Sequence, residues 1–334
     1  MFKHHITLIL FLSVLYNLCL AQTKKAKTMT KEKIKTNPLI CDPVEGICGV
    51  EDTSESEEVT VQKLNKPVKA IYFTDPICSS CWGIEPQLRK LKLEYGLYVE
   101  VEYHMGGLLP DWSYNSGGIS KPSDVASHWD EVSERYDMPI DGDVWLEDPL
   151  HSSYPPSIAF TAAQLQDEAK ALLFLREMRE MVLLRKKNIA KWENMAMAAE
   201  KVDLDVKQLE TDYNGKAKML FEDDLKLSKS YNVRGFPTII FINNEGAKEM
   251  VYGSKAYDFY EAAVLKLHPS AKKAEYNKEW KSLFFKYSSL TAKEFSALSG
   301  TPRTECEKIL DALVEDTSLN KLITKNAAIW TIKK

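Results

Sequence analysis

The chain has 334 residues, with 44 Lys and Arg against 48 Asp and Glu, for a formal net charge of −4. Its 44% hydrophobic and 28% charged residues are ordinary for a soluble globular protein, and the length suffices for one large domain and a small one. The mild acidity gives nucleic acid no basic footprint to bind, and six cysteines are too few for a disulfide-stapled miniprotein, so folding rests on apolar burial.

At the N-terminus Lys3, His4 and His5 precede the apolar run Ile6–Leu15, and Cys19-Leu20-Ala21 places small residues before Gln22. A basic start, a short apolar core and a small-residue exit read as a secretory signal peptide over residues 1–21, cleaved after Ala21. The run is short of the ~20 residues a membrane span needs. The expectation is a periplasmic or secreted protein that does not span the membrane once its signal is cleaved. Residues 22–66 read as a flexible tail. A lysine block (Lys24 to Lys35) and an acidic block (Glu51 to Glu58) carry too few hydrophobes to offset the entropy of ordering. Between them Cys41 and Cys48, with Pro43 and Gly46 in the interval, read as a small closed turn.

Order begins at Val68–Thr74, an apolar, aromatic-rich run that predicts a buried strand. It ends in Asp75-Pro76-Ile77-Cys78-Ser79-Ser80-Cys81-Trp82, after which Ile84, Leu88, Leu91 and Tyr95 recur at helical spacing until Gly96. Over Leu97–Tyr103, Val99, Val101 and Tyr103 alternate with Glu100 and Glu102, the period of a strand with one wet face. A long helical stretch follows from Ser123 to Tyr231, with apolar stripes at Ala171, Leu172, Leu175, Met178 and Val182 and at Phe221, Leu225 and Leu227. Val233-Arg234-Gly235-Phe236-Pro237-Thr238 leads into the run Ile239–Ile242. Asn243-Asn244-Glu245-Gly246 then signals a hairpin with Lys248–Tyr252 as its return strand, and Tyr257–Leu267 is a closing helix. The last segment is separate. Thr291-Ala292-Lys293-Glu294 is a capping box, Thr301-Pro302 opens a second helix to Glu315, and Lys321–Thr324 pairs with Ala327–Ile332. Helix-turn-helix followed by a hairpin is a winged-helix outline. Glu305, Glu307, Asp311 and Glu315 make its second helix acidic and repellent to phosphates, so it reads as a docking or stabilising module.

A CxxC after a strand and opening a helix has a physical logic. The helical turn brings both sulfurs within bridging distance, and the helix N-terminus favours a thiolate on Cys78. Cys78 is then the attacking thiol and Cys81 the resolving one. The competing readings are a plain structural bridge and half a zinc site, which needs two further ligands, for which Cys41 and Cys48 are candidates on a tail.

Three ordered motifs carry a resemblance. Asp75 to Gly83, Ser153-Tyr154-Pro155 and Val233 to Thr238 resemble the DsbA-family thioredoxin-fold proteins, nearest the FrnE-like branch, over residues 68–268. The resemblance implies an α/β thioredoxin fold at 67–120 and 231–268 with a helical domain inserted at 121–230, and 270–334 follows as the winged-helix-like module. It also implies that Pro237 is cis beside the disulfide and that Phe236 and Pro237 form the substrate-binding edge. Two departures stand out: Ser79-Ser80 supplies neither a basic group nor a proline between the cysteines, and Tyr72 occupies the place of thioredoxin's buried carboxylate. Asp75 fits either a proton-transfer role toward Cys81 or a cap on the active-site helix. Trp82 fits either a platform at the site rim or burial in the fold. His104 reads as a surface histidine, Cys306 as a free core thiol, and Cys41–Cys48 as either a local staple or a second redox pair.

The functional expectation is an exported thiol–disulfide oxidoreductase acting on cysteine-containing proteins. It needs no metal or organic cofactor, has a membrane redox partner, and uses Cys78 and Cys81 as catalytic residues. The alternative is a non-catalytic adaptor presenting clients to a protease, as some DsbA-like relatives do. Such adaptors work in the cytoplasm.

Overall fold

The computed structural model describes residues 66–113 and 119–333. The expected signal peptide, almost all of the tail, and Cys41 and Cys48 lie outside the described residues.

β1 (Val68–Thr74) is buried at every position but Lys69, as a continuous apolar run in the middle of a sheet should be. α1 (Ser79–Gly83) and α2 (Glu85–Tyr95) follow, with Pro86 near the start of α2, where its missing N–H costs nothing. β2 (Val99–Met105) runs parallel to β1, Tyr72 standing beside Tyr103. Its alternating carboxylates identify the strand, while its frame extends two residues beyond the alternation, to Met105.

The helical stretch starts at Pro122 and is broken into α3 (Pro122–Tyr136), α4 (Val144–Glu147), α5 (Tyr154–Gln166), α6 (Glu168–Leu184), α7 (Trp192–Lys201), α8 (Val206–Asn214) and α9 (Lys216–Ser230). The breaks fall at caps. Asp137 adopts a left-handed φ of 53° after α3, Asp167 accepts from Lys170 N–H at the start of α6, and Asp205 accepts from Lys207 and Gln208 N–H at the start of α8. The chain then returns through β3 (Thr238–Asn243), antiparallel to β1, and β4 (Lys248–Tyr252), antiparallel to β3, with Gly246 at φ 83° in the turn. α10 (Tyr257–Leu267) packs on β4. The sheet order β2-β1-β3-β4, with a CxxC between β1 and α2 and helices inserted between β2 and β3, is a thioredoxin-fold core carrying an inserted helical subdomain.

The C-terminal residues add α11 (Trp280–Lys286), β5 (Ser289–Thr291), α12 (Ala292–Ser299), α13 (Arg303–Glu315), β6 (Leu319–Ile323) and β7 (Ala328–Ile332). α11 and β5 carry no strong local signal. β5 is three residues long and exists as a strand because β7 pairs with it. The predicted capping box forms as written, Thr291 Oγ1 accepting from Glu294 N–H and Glu294 from Thr291 N–H. This three-stranded sheet, ordered β5-β7-β6, builds a core of its own around Phe284, Leu290, Phe295, Leu298 and Trp330.

That second core is joined to the first by ion pairs as well as by α12 packing on α2. Arg176 of α6 grips Glu294 with two hydrogen bonds, at 2.8 and 3.1 Å, and Arg89 of α2 approaches the same carboxylate at 3.3 Å. Glu294 has no exposed surface. Burial alone would raise its pKa, but the two arginines outweigh burial and hold it below the usual carboxylate range.

Candidate functional site

The turn after β1 is built around Cys78. Its backbone is extended (φ −73°, ψ 105°), and its sulfur caps α1 by accepting Cys81 N–H at 3.1 Å. Cys78 and Cys81 are disulfide-bonded with their Cα atoms 5.1 Å apart, the reach that one helical turn provides. Both are covered, Cys78 at 3% exposure and Cys81 at 0%.

Asp75 is the knot of this turn and does not cap α1. Its Oδ1 accepts from Ile77 N–H at 3.0 Å, and its Oδ2 from Leu108 N–H and Ser153 Oγ, both at 2.8 Å. One carboxylate thus ties together the CxxC turn, the segment after β2 and the start of α5, joining two of the three sequence motifs. Burial raises its pKa to about 6, against the pull of those hydrogen bonds and of Arg179. Tyr72, in the place of the missing carboxylate, is buried and accepts a hydrogen bond from Thr74 Oγ1.

Trp82 lies beneath the motif with no exposed surface, its Nε1–H donating to Pro139 O and Arg176 stacking on its ring at 4.1 Å. His104 is half-buried rather than superficial: its Nδ1 is 2.7 Å from Asp224 of α9. Burial opposes its protonation, but Asp224 and Glu102 prevail and raise its pKa to about 9, which makes it a strut between β2 and α9. Cys306 is a buried free thiol in the C-terminal core.

The Phe236–Pro237 peptide is cis. Phe236 shares with Cys78 a groove of about 280 Å³ whose walls include Leu108, Trp112, Trp129 and Trp145. The tryptophans meet edge to face, Trp145 against Trp112 at 5.9 Å and against Trp129 at 5.3 Å, an arrangement aromatic rings favour. Gly106 makes the groove possible: a Cβ there would stand 2.0 Å from the Phe236 ring. Gly107, at φ 69°, then turns the chain toward Asp75. Nothing in the sequence pattern singles out the three tryptophans or Gly106 as parts of one site. The Gly106-Gly107 pair at a strand end was the available signal, whereas nothing local marks tryptophans from three segments as neighbours.

Among the described residues no helix is long and apolar enough to cross a membrane, and no group of three or more His, Cys, Asp or Glu gathers as a metal site.

The thioredoxin family model matches residues 72–262. The ClpXP adapter protein SpxH of Halalkalibacterium halodurans is 32% identical over 302 residues, covering 88% of this chain and 97% of the relative. SpxH of Bacillus subtilis is 28% identical over 270 residues, 79% of this chain and 89% of the relative. Among solved structures, the cytosolic disulfide reductase DsbM of Pseudomonas aeruginosa superposes at TM-score 0.50 with 19% identity, over 60% of this chain and all of that one, a likeness of fold alone.

These findings correct the enzyme expectation. Relatives that align along most of the chain are named as protease adapters, which overturns membership of the FrnE-like DsbA branch and with it the assignment as a thiol–disulfide oxidoreductase. A redox-active centre, cysteine-containing protein substrates and a membrane redox partner fall with it. The physical reason lies in how little a CxxC specifies. The spacing lets a disulfide close across one helical turn whether or not the pair ever exchanges, so the motif by itself does not specify exchange. The periplasmic or secreted placement is overturned by the same kinship, since the adaptor alternative is a cytoplasmic one. With coverage this complete, the chain belongs to the SpxH family of thioredoxin-fold proteins.

Proposed function

We propose that the chain is a non-catalytic ClpXP adapter, which binds a client protein and presents it to the protease. The observation that carries this reading is the 32% identity to an SpxH adapter along 97% of that relative. The groove between Cys78, Phe236, Trp112 and Trp129 is the client-binding surface in this proposal. It offers apolar and aromatic walls next to the backbone of a cis-proline turn, and buried aromatic anchors concentrate binding energy. Cys78 and Cys81 act as structural members of the groove floor, Asp75 as its knot and Trp82 as its support. Residues 270–334 form a winged-helix-like module, set beside a thioredoxin-fold part at 67–120 and 231–268 and a helical part at 121–230. The module's helix pair α12–α13 and hairpin β6–β7 support that reading, and its task is docking.

The test is a comparison of protein half-lives across the proteome in cells with and without the chain, and with and without ClpX. An adapter leaves a defined set of proteins stabilised by either deletion and by no further amount in the double deletion. Reintroducing the chain with Cys78 and Cys81 both changed to Ser restores turnover of that set. The proposal fails if no protein depends on both, or if the double-serine chain is folded but inactive.

A further inference from the structure

A second cavity, of about 120 Å³, opens where α2, β2 and α6 meet residues 286–289. Arg89, Lys92, Arg176, Arg179 and Lys286 line it, and Glu85 is the one carboxylate-bearing residue among its walls. Glu294 and Glu180 bind Arg176, Glu294 also approaches Arg89, and Glu85 binds Arg179 at 2.6 Å. These three carboxylates pair with the three arginines of the wall.

Lys92 stands apart from these arginines. Among the described residues it pairs with no carboxylate. Its ammonium donates to Tyr103 Oη at 3.0 Å and lies 4.8 Å from that ring's centroid. Burial lowers its pKa to about 8, the mark of a cation short of compensation. Two further donors belong to residues that line the same cavity. Arg179 is 1% exposed, and its Nε–H reaches no acceptor among the described residues. Burial keeps Tyr103 protonated at neutral pH, so its hydroxyl accepts from Lys92 and still holds a proton to donate.

A buried donor without an acceptor is destabilising, so a site with this surplus of donors and charge is poised for an acceptor. The volume corresponds to about four waters at ~30 Å³ each, room for one tetrahedral ion and little more. We infer that this cavity binds a small tetrahedral oxyanion of the phosphate class, held by Lys92, Tyr103 and Arg179. The ion sits where the thioredoxin-fold core, the helical insertion and the C-terminal segment meet, so its binding stabilises that junction.

The experiment uses the full chain and sodium phosphate as probe, with sodium chloride at matched ionic strength as reference. Thermal unfolding is followed in titrations of phosphate, glycerol phosphate and acetate. The expected result is a saturable rise in midpoint with phosphate and none with acetate, and an affinity reduced at least ~10-fold by Lys92→Gln. Glycerol phosphate as effective as phosphate assigns the site to the phosphoryl group of a larger molecule, within the same chemistry. Phosphate that is no better than chloride, or binding that Lys92→Gln leaves unchanged, overturns the inference. Should Lys92→Gln fail to fold, crystals of the unaltered chain soaked in selenate decide the matter. An anomalous peak beside Lys92 Nζ supports the site, and its absence there refutes it.

Discussion

Replacing Glu294 by Ala removes one buried carboxylate that three segments share. The carboxylate accepts from Arg176 at 2.8 and 3.1 Å and from Thr291 N–H at 2.8 Å, and Arg89 stands 3.3 Å away. Leaving a buried cation without its partner costs about 3–5 kcal/mol. Arg176 keeps Glu180 at 2.9 Å and Arg89 keeps Ser289 O at 2.8 Å, which places this term near the low end, ~3 kcal/mol. Loss of the capping hydrogen bond to Thr291 adds ~1 kcal/mol. The expected total is therefore about 4 kcal/mol for Glu294→Ala, and about 3 kcal/mol for Glu294→Gln, which can still cap Thr291. Urea unfolding measures the total. Peptide-resolved hydrogen exchange locates it, with faster exchange expected first in residues 280–332, whose own core depends on this joint for its attachment. The Arg176→Met/Glu294→Gln double variant should cost less than the sum of its parts, because each change removes the same contact. If both Glu294 variants cost under ~1 kcal/mol, or if exchange quickens equally in β1 and β7, the joint does not work as described.

Two further outcomes bear on the groove. Asp75 has a folded-state pKa of about 6 against an ordinary 3.8, so the folded protein binds the extra proton between those values and loses stability as pH rises through them. The unfolding free energy of the unaltered chain relative to Asp75→Asn should thus fall by up to ~3 kcal/mol from pH 4 to pH 7, and a flat difference would refute the assignment. Gly106→Ala places a Cβ 2.0 Å from the Phe236 ring, so that ring must leave its position. Client turnover should drop while the far-ultraviolet circular dichroism stays native, and unchanged turnover would remove Phe236 from the client-binding surface.

Local patterns in this chain are strong, and they carried the elements a long way. β1, β4 and α10 occupy the residues their apolar runs and flanking turns predict, and the Thr291–Glu294 capping box forms as its spacing demands. Each is decided by residues within a few positions of one another, where backbone geometry and periodicity leave little choice. The CxxC belongs to the same class, and there the local reading overreached. Its geometry is that of one helical turn, equally at home in an exchanging dithiol and in a structural disulfide, and the likeness to SpxH over 88% of the chain overturns the exchange reading.

What only the tertiary structure decided are the contacts between residues far apart in sequence. Asp75 meets Leu108 and Ser153, Arg176 meets Glu294, and Trp112, Trp129 and Trp145 gather over Cys78. A carboxylate or an arginine carries no local sign of its partner, because a buried charge is compensated by whatever the packed chain brings within about 4 Å, not by its neighbours along the sequence. The short strand β5, the groove and the cationic cavity around Lys92 are all products of that packing.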